Sequence, residues 1–186
     1  MRIIGGKFKS KKLYLPEDKN TRPLKDLVKE SIFNLIHHSN KINIKIENSN
    51  ILDLFSGSGS FGLECLSRGS KVVYFFENYA KAIKTLKKNI LKLDGNQKCN
   101  IFEYNCFSYF NSDKNLNVKF DIIFIDPPYK EKKVNELIEK IIEKKILKID
   151  GIIIIHRHKK DNIQLTEKLK IFENRSYGVS RIFFGS

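Results

Sequence analysis

The chain is poor in cysteine and arginine, has no long apolar run, and carries no acid in its first dozen residues. Its three cysteines, Cys65, Cys99 and Cys106, make no C-x-x-C pair and stand at no metal-ligand spacing from a histidine. A disulfide framework and a thiolate metal centre are thereby excluded, and reduced, mostly buried thiols in a cytoplasmic protein are expected. No apolar run approaches the ~18 residues of a membrane span, and no apolar leader follows the N-terminus. No membrane partner is expected, and no internal repeat is present.

What the chain does have is a core and a charge. Its 186 residues suffice for one domain, and 41% hydrophobic with 11% aromatic residues argue against disorder. The net charge of +14 points to a polyanionic partner. Since 29 of the 35 basic residues are lysine, in a chain also rich in Ile and Asn, an AT-rich genome accounts for part of that excess. Clustering therefore weighs more than the total.

The stretch Ile51–Gly69, I-L-D-L-F-S-G-S-G-S-F-G-L-E-C-L-S-R-G, organises the rest. An apolar strand runs into a glycine turn (Gly57, Gly59, Gly62) and then into a helix with Leu63 and Leu66 on one side. Strand, glycine turn and helix in this order open a nucleotide-binding α/β domain. Asp53 lies four residues before Gly57. An acid there is poorly placed for a pyrophosphate and well placed for a cationic ligand end, such as the sulfonium and amino group of S-adenosylmethionine. Glu77 follows Gly57 by 20 residues at the end of Val72–Phe76, where a doubly wound fold places the carboxylate that accepts ribose hydroxyls. NAD stays open as the second ligand at this point.

Residues 2–12 hold five basic side chains, Arg2, Lys7, Lys9, Lys11 and Lys12, broken by Gly5-Gly6. A small β-hairpin or a basic arm is expected, either gripping phosphates or trailing as a solvated tail. A helix is expected after Pro23, with Leu24, Leu27, Val28, Ile32, Leu35 and Ile36 as its apolar stripe and His37-His38 at its end. Arg22 either reaches a phosphate or caps the loop. Ala80, Ile83, Leu86 and Ile90 predict a helix with its lysines outward. Ile101–Tyr104 predicts a third strand ending at Asn105, whose side chain can meet an adenine amino edge.

Phe120–Ile125 is an unbroken apolar run of the parallel-sheet kind and ends in Asp126-Pro127-Pro128-Tyr129. Helix 134–142, strand 151–155, a basic patch His156–Lys160 and a final strand Tyr177–Phe184 follow. Two prolines stiffen the turn after Asp126 and remove two donors, which leaves the Pro127 carbonyl available. With the Asp126 carboxylate it makes two acceptors for one –NH2 group. Holding both N–H bonds out of the ring plane restores lone-pair density to the nitrogen for attack on a methyl sulfonium. Asp126 is also placed to take the proton, and Tyr129 to stack on a flipped-out base. A rigid turn without a ligand is the plain alternative.

The chain resembles the class I S-adenosylmethionine-dependent methyltransferases with a D/N-P-P-Y/F motif. More closely it resembles the RsmD family of bacterial small-subunit ribosomal RNA guanine-N2 methyltransferases. The resemblance rests on R-I-I-G-G-K-F-K-S-K-K-L, T-R-P-L-K-D-L-V-K-E-S-I-F-N-L, L-D-L-F-S-G-S-G-S-F-G-L-E-C-L-S-R-G, E-N, D-P-P-Y and Y-G-V-S-R-I-F-F. It implies a Rossmann-like α/β domain with a mostly parallel seven-stranded sheet, helices on both faces, and a small N-terminal hairpin and helix extension. Residues 1–40 would form the basic arm and helix, and 41–186 the methyltransferase domain.

The resemblance further implies that Asp53, Phe55, Gly57, Gly59, Glu77, Asn78, Asn105 and Cys106 line a pocket for S-adenosylmethionine, with no metal. Asp126, Pro127 and Tyr129 would hold the guanine. Arg2, Lys7, Lys9, Lys11, Lys12 and Arg22 would face 16S ribosomal RNA in the small ribosomal subunit, with the protein acting as a monomer. Two positions depart from the family pattern: Asn105 stands where an Asp is usual, and His156 where an acid is frequent. The rivals are a DNA adenine-N6 methyltransferase, a protein-glutamine methyltransferase and a non-catalytic RNA-binding module. A target-recognition domain for the first does not fit in 186 residues. The basic arm and the Asp at 126 disfavour the second.

Overall fold

A computed structural model describes residues 1–17 and 24–186. Thirteen elements follow in order. They are α1 (Asp26–His38), β1 (Asn50–Leu54), α2 (Ser60–Ser67), β2 (Val72–Phe76), α3 (Ala80–Lys92), a 3-10 turn (Asn96–Lys98), β3 (Cys99–Phe102), α4 (Cys106–Phe110), β4 (Phe120–Ile125), α5 (Val134–Glu143), β5 (Leu147–His158), β6 (Ile171–Tyr177) and β7 (Ser180–Gly185). The strands form one sheet in the order β3-β2-β1-β4-β5-β7-β6. Strands β1 to β5 pair in parallel and β7 is antiparallel to both β5 and β6. The fold is the expected Rossmann-like one, and the order reverses between β1 and β4, where such sheets open a ligand crevice.

Alternation along the strands builds two cores from one sheet. Ile51, Val73, Phe75, Ile122, Phe124, Ile152 and Ile154 face one side and pack under α1, α2 and α3. Leu52, Leu54, Phe76, Ile123, Ile125, Ile153 and Ile155 face the other and pack on α4 and α5. Both faces are buried, which is why the strands appear in the sequence as unbroken apolar runs. An aromatic column ties the layers together: Phe33 of α1 stacks on Phe61 of α2 at 5.4 Å, and Phe61 on Phe124 of β4 at 4.1 Å. Each such pair adds about 0.5–1.5 kcal/mol beyond the area it buries.

Several expectations are corrected. Leu27, assigned to the apolar stripe of α1, is 64% exposed, and the buried face carries Val28, Lys29, Ile32, Phe33 and Ile36 instead. The helix is turned so that Phe33 reaches its stack and Lys29 reaches Glu64 of α2. β3 starts at Cys99 and ends at Phe102, because the Phe102 carbonyl takes the last edge bond, from the Glu77 amide at 3.1 Å. The final strand is a hairpin of two strands turning at Gly178 with φ 58°. Its first arm lies at the sheet edge and is too polar (Glu173, Asn174, Arg175, Ser176) to show apolar alternation. The basic patch shrinks to His158, Lys159 and Lys160, because β5 runs through His156 and Arg157 and buries both.

The first residues are docked, which rules out a solvated tail. Arg2 and Lys12 form an antiparallel bridge, and Ile3 is fully buried. The Ile4 amide donates to Glu64 Oε2 at 2.8 Å and the Phe8 amide to Ser67 Oγ at 2.9 Å, both on α2. Gly6, with φ 74°, lies so close to the Ser67 backbone that an added Cβ would stand 1.9 Å from the Ser67 carbonyl oxygen. Glycine at this position is what lets the arm lie against the end of α2.

Candidate active site

The site grows out of the carboxyl ends of β1, β2, β3 and β4. Phe55, directly after β1, has φ 60°. A bulky residue in the left-handed region costs about 1–3 kcal/mol and is held only where the surroundings over-determine it. The chain then turns through Gly57 (φ 55°) and Gly59 (φ 87°) into α2. An added Cβ on Gly57 would meet nothing within 4 Å, so the loop presents bare backbone to the crevice. On Gly59 a Cβ would stand 2.6 Å from Leu86 Cδ1, so this glycine serves packing against α3.

Glu77 braces the loop. Its Oε2 accepts from the Gly57 amide at 2.7 Å, and its Oε1 from the Asn78 and Tyr79 amides at 2.8 and 2.9 Å. Oε2, with one amide on it, keeps a lone pair for a ligand hydroxyl, while the two amides fill Oε1. Asp53 lies beneath the loop, 1% exposed, with Oδ2 accepting from the Gly62 amide in the first turn of α2 at 2.9 Å. Burial pushes its pKa well above the ordinary 3.8, the Gly62 amide opposes this, and the charges of Asp126 and Glu77 add to it. Three carboxylates thus converge, and no cationic side chain among the described residues offsets Asp53. A cationic ligand suits such a set.

A carboxyl raised in the folded state stabilises fully below its unfolded value of 3.8 and loses that contribution as pH rises through the folded value. Asp53→Asn is therefore expected to melt above wild type at pH 7, with the gap closing below about pH 4. Thermal melts across that range check this, and equal melting at pH 7 would count against an uncompensated Asp53.

On the far side of the crevice, Asn78 is exposed beside Glu77. Asn105 caps α4, its side-chain oxygen accepting from the Ser108 amide at 3.2 Å. That oxygen, expected at an adenine amino group, is thus partly engaged in holding α4. Cys106 turns its thiol into the second core, where burial raises its pKa to about 12, so its side chain seats α4 and does not line the crevice.

The Asp-Pro-Pro-Tyr turn follows β4 next to the glycine loop. The Asp126 amide donates to the Leu54 carbonyl at 3.4 Å. Asp126 Oδ1 is 2.8 Å from His156 Nδ1, and His156 Nε2 is 2.9 Å from Ser180 Oγ. No donor among the described residues meets Asp126 Oδ2 or the Pro127 carbonyl. The neighbouring carbonyls are taken by Arg157, which reaches Pro128, Tyr129 and Glu131 at 3.4, 3.1 and 3.0 Å and pairs with Asp161. Tyr129 meets the His158 ring edge-on at 5.0 Å.

The arm reaches the crevice from the opposite side. Asn89 of α3 accepts from the Tyr14 amide at 2.7 Å and donates to the Ser58 carbonyl of the glycine loop at 2.9 Å. Lys7, Lys9, Lys11 and Lys12 are exposed, with the ammonium groups of Lys7 and Lys11 flanking the Phe8 ring at 5.5 and 5.0 Å. Arg2 is exposed but pairs with Asp26 at 3.2 Å. Arg22 lies outside the described residues.

The model of the family described as Conserved hypothetical protein 95, the RsmD family, matches residues 1–186. The chain belongs to this family. YlbH of Bacillus subtilis is 33% identical over 185 residues, covering 98% of this chain and 96% of that protein. Ribosomal RNA small subunit methyltransferase D of Buchnera aphidicola subsp. Baizongia pistaciae is 34% identical over 166 residues, covering 89% and 80%. Among solved structures, the Escherichia coli protein yhhF superposes with a TM-score of 0.82 at 24% identity, over 100% of this chain and 96% of that one. This last likeness bears on fold alone.

Within this RsmD-family site, His156, Arg157, Ser180 and Asn89 went unassigned or misassigned from sequence. The available signal was that Ile152–Ile155 runs into His156-Arg157 with no turn residue between, so the strand goes on and carries both inward. Arg157→Lys replaces a planar fork by one ammonium and leaves at least one loop carbonyl without a donor. We expect a loss of about 2 kcal/mol in urea unfolding.

Proposed function

We propose that this protein transfers a methyl group from S-adenosylmethionine to the exocyclic N2 of a guanine in 16S ribosomal RNA, within the small ribosomal subunit. The observation that carries the reading is the pair of acceptors that no donor among the described residues meets, Asp126 Oδ2 and the Pro127 carbonyl, placed beside an open glycine loop. Relatives that carry the printed name of ribosomal RNA small subunit methyltransferase D support the choice of ribosomal RNA.

S-adenosylmethionine fits the site by charge, since it brings cations to three converging carboxylates, and it would supply an electrophilic methyl on sulfur. Glu77 would hold the ribose, and the bare backbone at Gly57 would admit close approach. Asp53 would act by fixing the start of α2 under the loop, with Phe55, Gly59, Asn78 and Asn105 shaping the pocket. Asp126 Oδ2 and the Pro127 carbonyl would accept the two N–H bonds of the guanine amine, and Tyr129 would stack on the base. The tetrapeptide accepts a proton from the nitrogen and needs no metal.

The exposed lysines of the arm, with Arg2 and Arg22, would grip RNA phosphates, each contact releasing counterions and making binding salt-dependent. In this reading residues 1–40 are the RNA-facing flank of a 41–186 catalytic core. The protein acts as a monomer in the cytoplasm, where ribosomal subunits assemble.

Labelled S-adenosylmethionine offered with small subunits, and separately with naked RNA, from cells lacking this protein tests the reading. Label in N2-methylguanosine is expected. Label in N6-methyladenosine would keep the site and overturn the substrate, and RNA binding without label would leave a binding module.

A further inference from the structure

We infer that His156 is a positioning residue for this reaction: through the chain Ser180–His156–Asp126 it holds the Asp126 carboxylate as an acceptor, with Oδ2 left for the substrate amine. The inference rests on the methyl-transfer reading for what Asp126 accepts, while the hydrogen-bonded chain stands on geometry alone.

His156 sits between two strands, next to Ile155, which pairs with Ile125 of β4, and itself paired with Ile182 of β7. Its backbone is therefore held on both sides just where β4 ends. Its side chain is 8% exposed, and Ser180 is buried. Both ring nitrogens are engaged, Nδ1 with Asp126 Oδ1 at 2.8 Å and Nε2 with Ser180 Oγ at 2.9 Å, so rotating the ring forfeits two bonds at once. An ionised carboxylate can only accept, so Nδ1 carries the proton in this contact. In the neutral ring Nε2 then accepts from the Ser180 hydroxyl, whose rotation makes that possible.

The consequence is selective. With Oδ1 committed to His156, Asp126 offers one oxygen to the crevice, and that oxygen accepts. The Pro127 carbonyl beside it also accepts. A substrate edge presenting an –NH2 satisfies both, and an edge presenting a carbonyl satisfies neither. As the nitrogen forms its bond to the methyl carbon, the carbon–sulfur bond breaks with its electron pair staying on sulfur. The surplus proton on nitrogen passes to Asp126 Oδ2, and Oδ1 goes on accepting from Nδ1–H. The same imidazole meets the Tyr129 ring edge-on at 6.4 Å, so one side chain backs both halves of the base pocket.

The test compares wild type with His156→Gln, His156→Asn and Ser180→Ala in steady-state transfer, with Asp126→Ala as reference and melting temperature as the folding control. Asparagine places its amide N–H where Nδ1 sits, and glutamine places it nearer Nε2. His156→Gln is expected to lose about 100-fold in kcat, the scale of a misplaced reacting group, with KM for RNA and for S-adenosylmethionine unchanged. His156→Asn is expected to recover most of that loss, and Ser180→Ala to fall between. Wild-type kcat in His156→Gln, or equal loss in both His156 variants with KM raised, would overturn the inference.

If wild type transfers no methyl, the functional reading fails, and nitrogen-15 NMR of the histidine rings decides the chain separately. A hydrogen-bonded Nδ1 proton on His156, lost in Asp126→Ala, is the expected result. A ring protonated on Nε2 alone overturns the inference whatever the substrate.

Discussion

Asp126→Ala is expected to lower kcat for methyl transfer by about 10³-fold while leaving S-adenosylmethionine affinity within a fewfold of wild type. The magnitude follows from what is removed. A positioned general base contributes roughly 10²–10⁴, and in the proposed reaction the same oxygen also orients the amine. The Pro127 carbonyl survives the substitution, so substrate binding weakens less than turnover. Cofactor affinity is expected to survive because the proposed cofactor contacts, Glu77 and the glycine loop, are held apart from Asp126, with Gly57 and Glu77 joined at 2.7 Å. Asp126→Asn separates orientation from charge. Its amide oxygen still accepts, but no carboxylate remains to take the proton and the amide cannot accept from His156 and the substrate as a carboxylate does. It is expected to fall between alanine and wild type. Single-turnover kinetics with labelled cofactor, alongside calorimetric titration of the cofactor, make the comparison. Equal rates in Asp126→Ala and wild type would remove the tetrapeptide from the chemistry.

The largest effect on stability is expected from Lys29→Ala, a loss of about 4 kcal/mol. Lys29 is fully buried, and its Nζ donates to the Arg2 carbonyl at 2.5 Å and stands 3.7 Å from Glu64 Oε2 and 3.8 Å from Asp26 Oδ1. Glu64 is buried too, accepting from the Ile4 amide and from Arg68 Nε at 2.9 Å. Breaking a buried pair costs about 3–5 kcal/mol, and Glu64 would keep the Ile4 amide and Arg68 but lose its fully buried cation. The double variant Lys29→Met with Glu64→Gln removes both charges while Gln still accepts from Ile4, and should recover most of the loss.

The pH dependence carries the same signature. Burial lowers the Lys29 pKa below 10.5, against the pull of Glu64 and Asp26. The folded state therefore gives up this proton first, and stability from this group rises with pH between the lowered value and 10.5. In Lys29→Ala that rise disappears. Urea unfolding at pH 7 and pH 10 measures both effects, and a loss under about 1 kcal/mol at pH 7 would mean that water reaches the pair.

This knot also explains why the arm is part of the fold. Lys29 binds the arm's backbone at Arg2, Glu64 binds it at Ile4, and Ser67 binds it at Phe8. Lys7 and the lysines that follow are thereby presented from a fixed surface at the C-terminal end of α2. A phosphate grip built on a docked arm loses less conformational entropy on binding than one built on a tail.

Local order along the chain was enough to determine the parallel strands β1 to β5 and the acids and glycines that stand at their ends. Unbroken apolar strands such as Phe120–Ile125 and Ile152–Ile155 belong to a sheet buried on both faces. Glycines and acids standing at strand ends have short-range causes that a sequence displays. For that reason Asp53, Gly57, Glu77 and Asp126 were all legible. What tertiary structure alone decided is partnership across the chain. Lys29 and Glu64 are 35 residues apart, and His156 lies 30 residues from Asp126 and 24 from Ser180. A lysine in a helix or a histidine at the head of a basic run looks solvated until the partner that compensates its burial is in place. The desolvation of a polar group and the contact that offsets it are set by the packing of distant elements, and only the folded chain brings the two terms together.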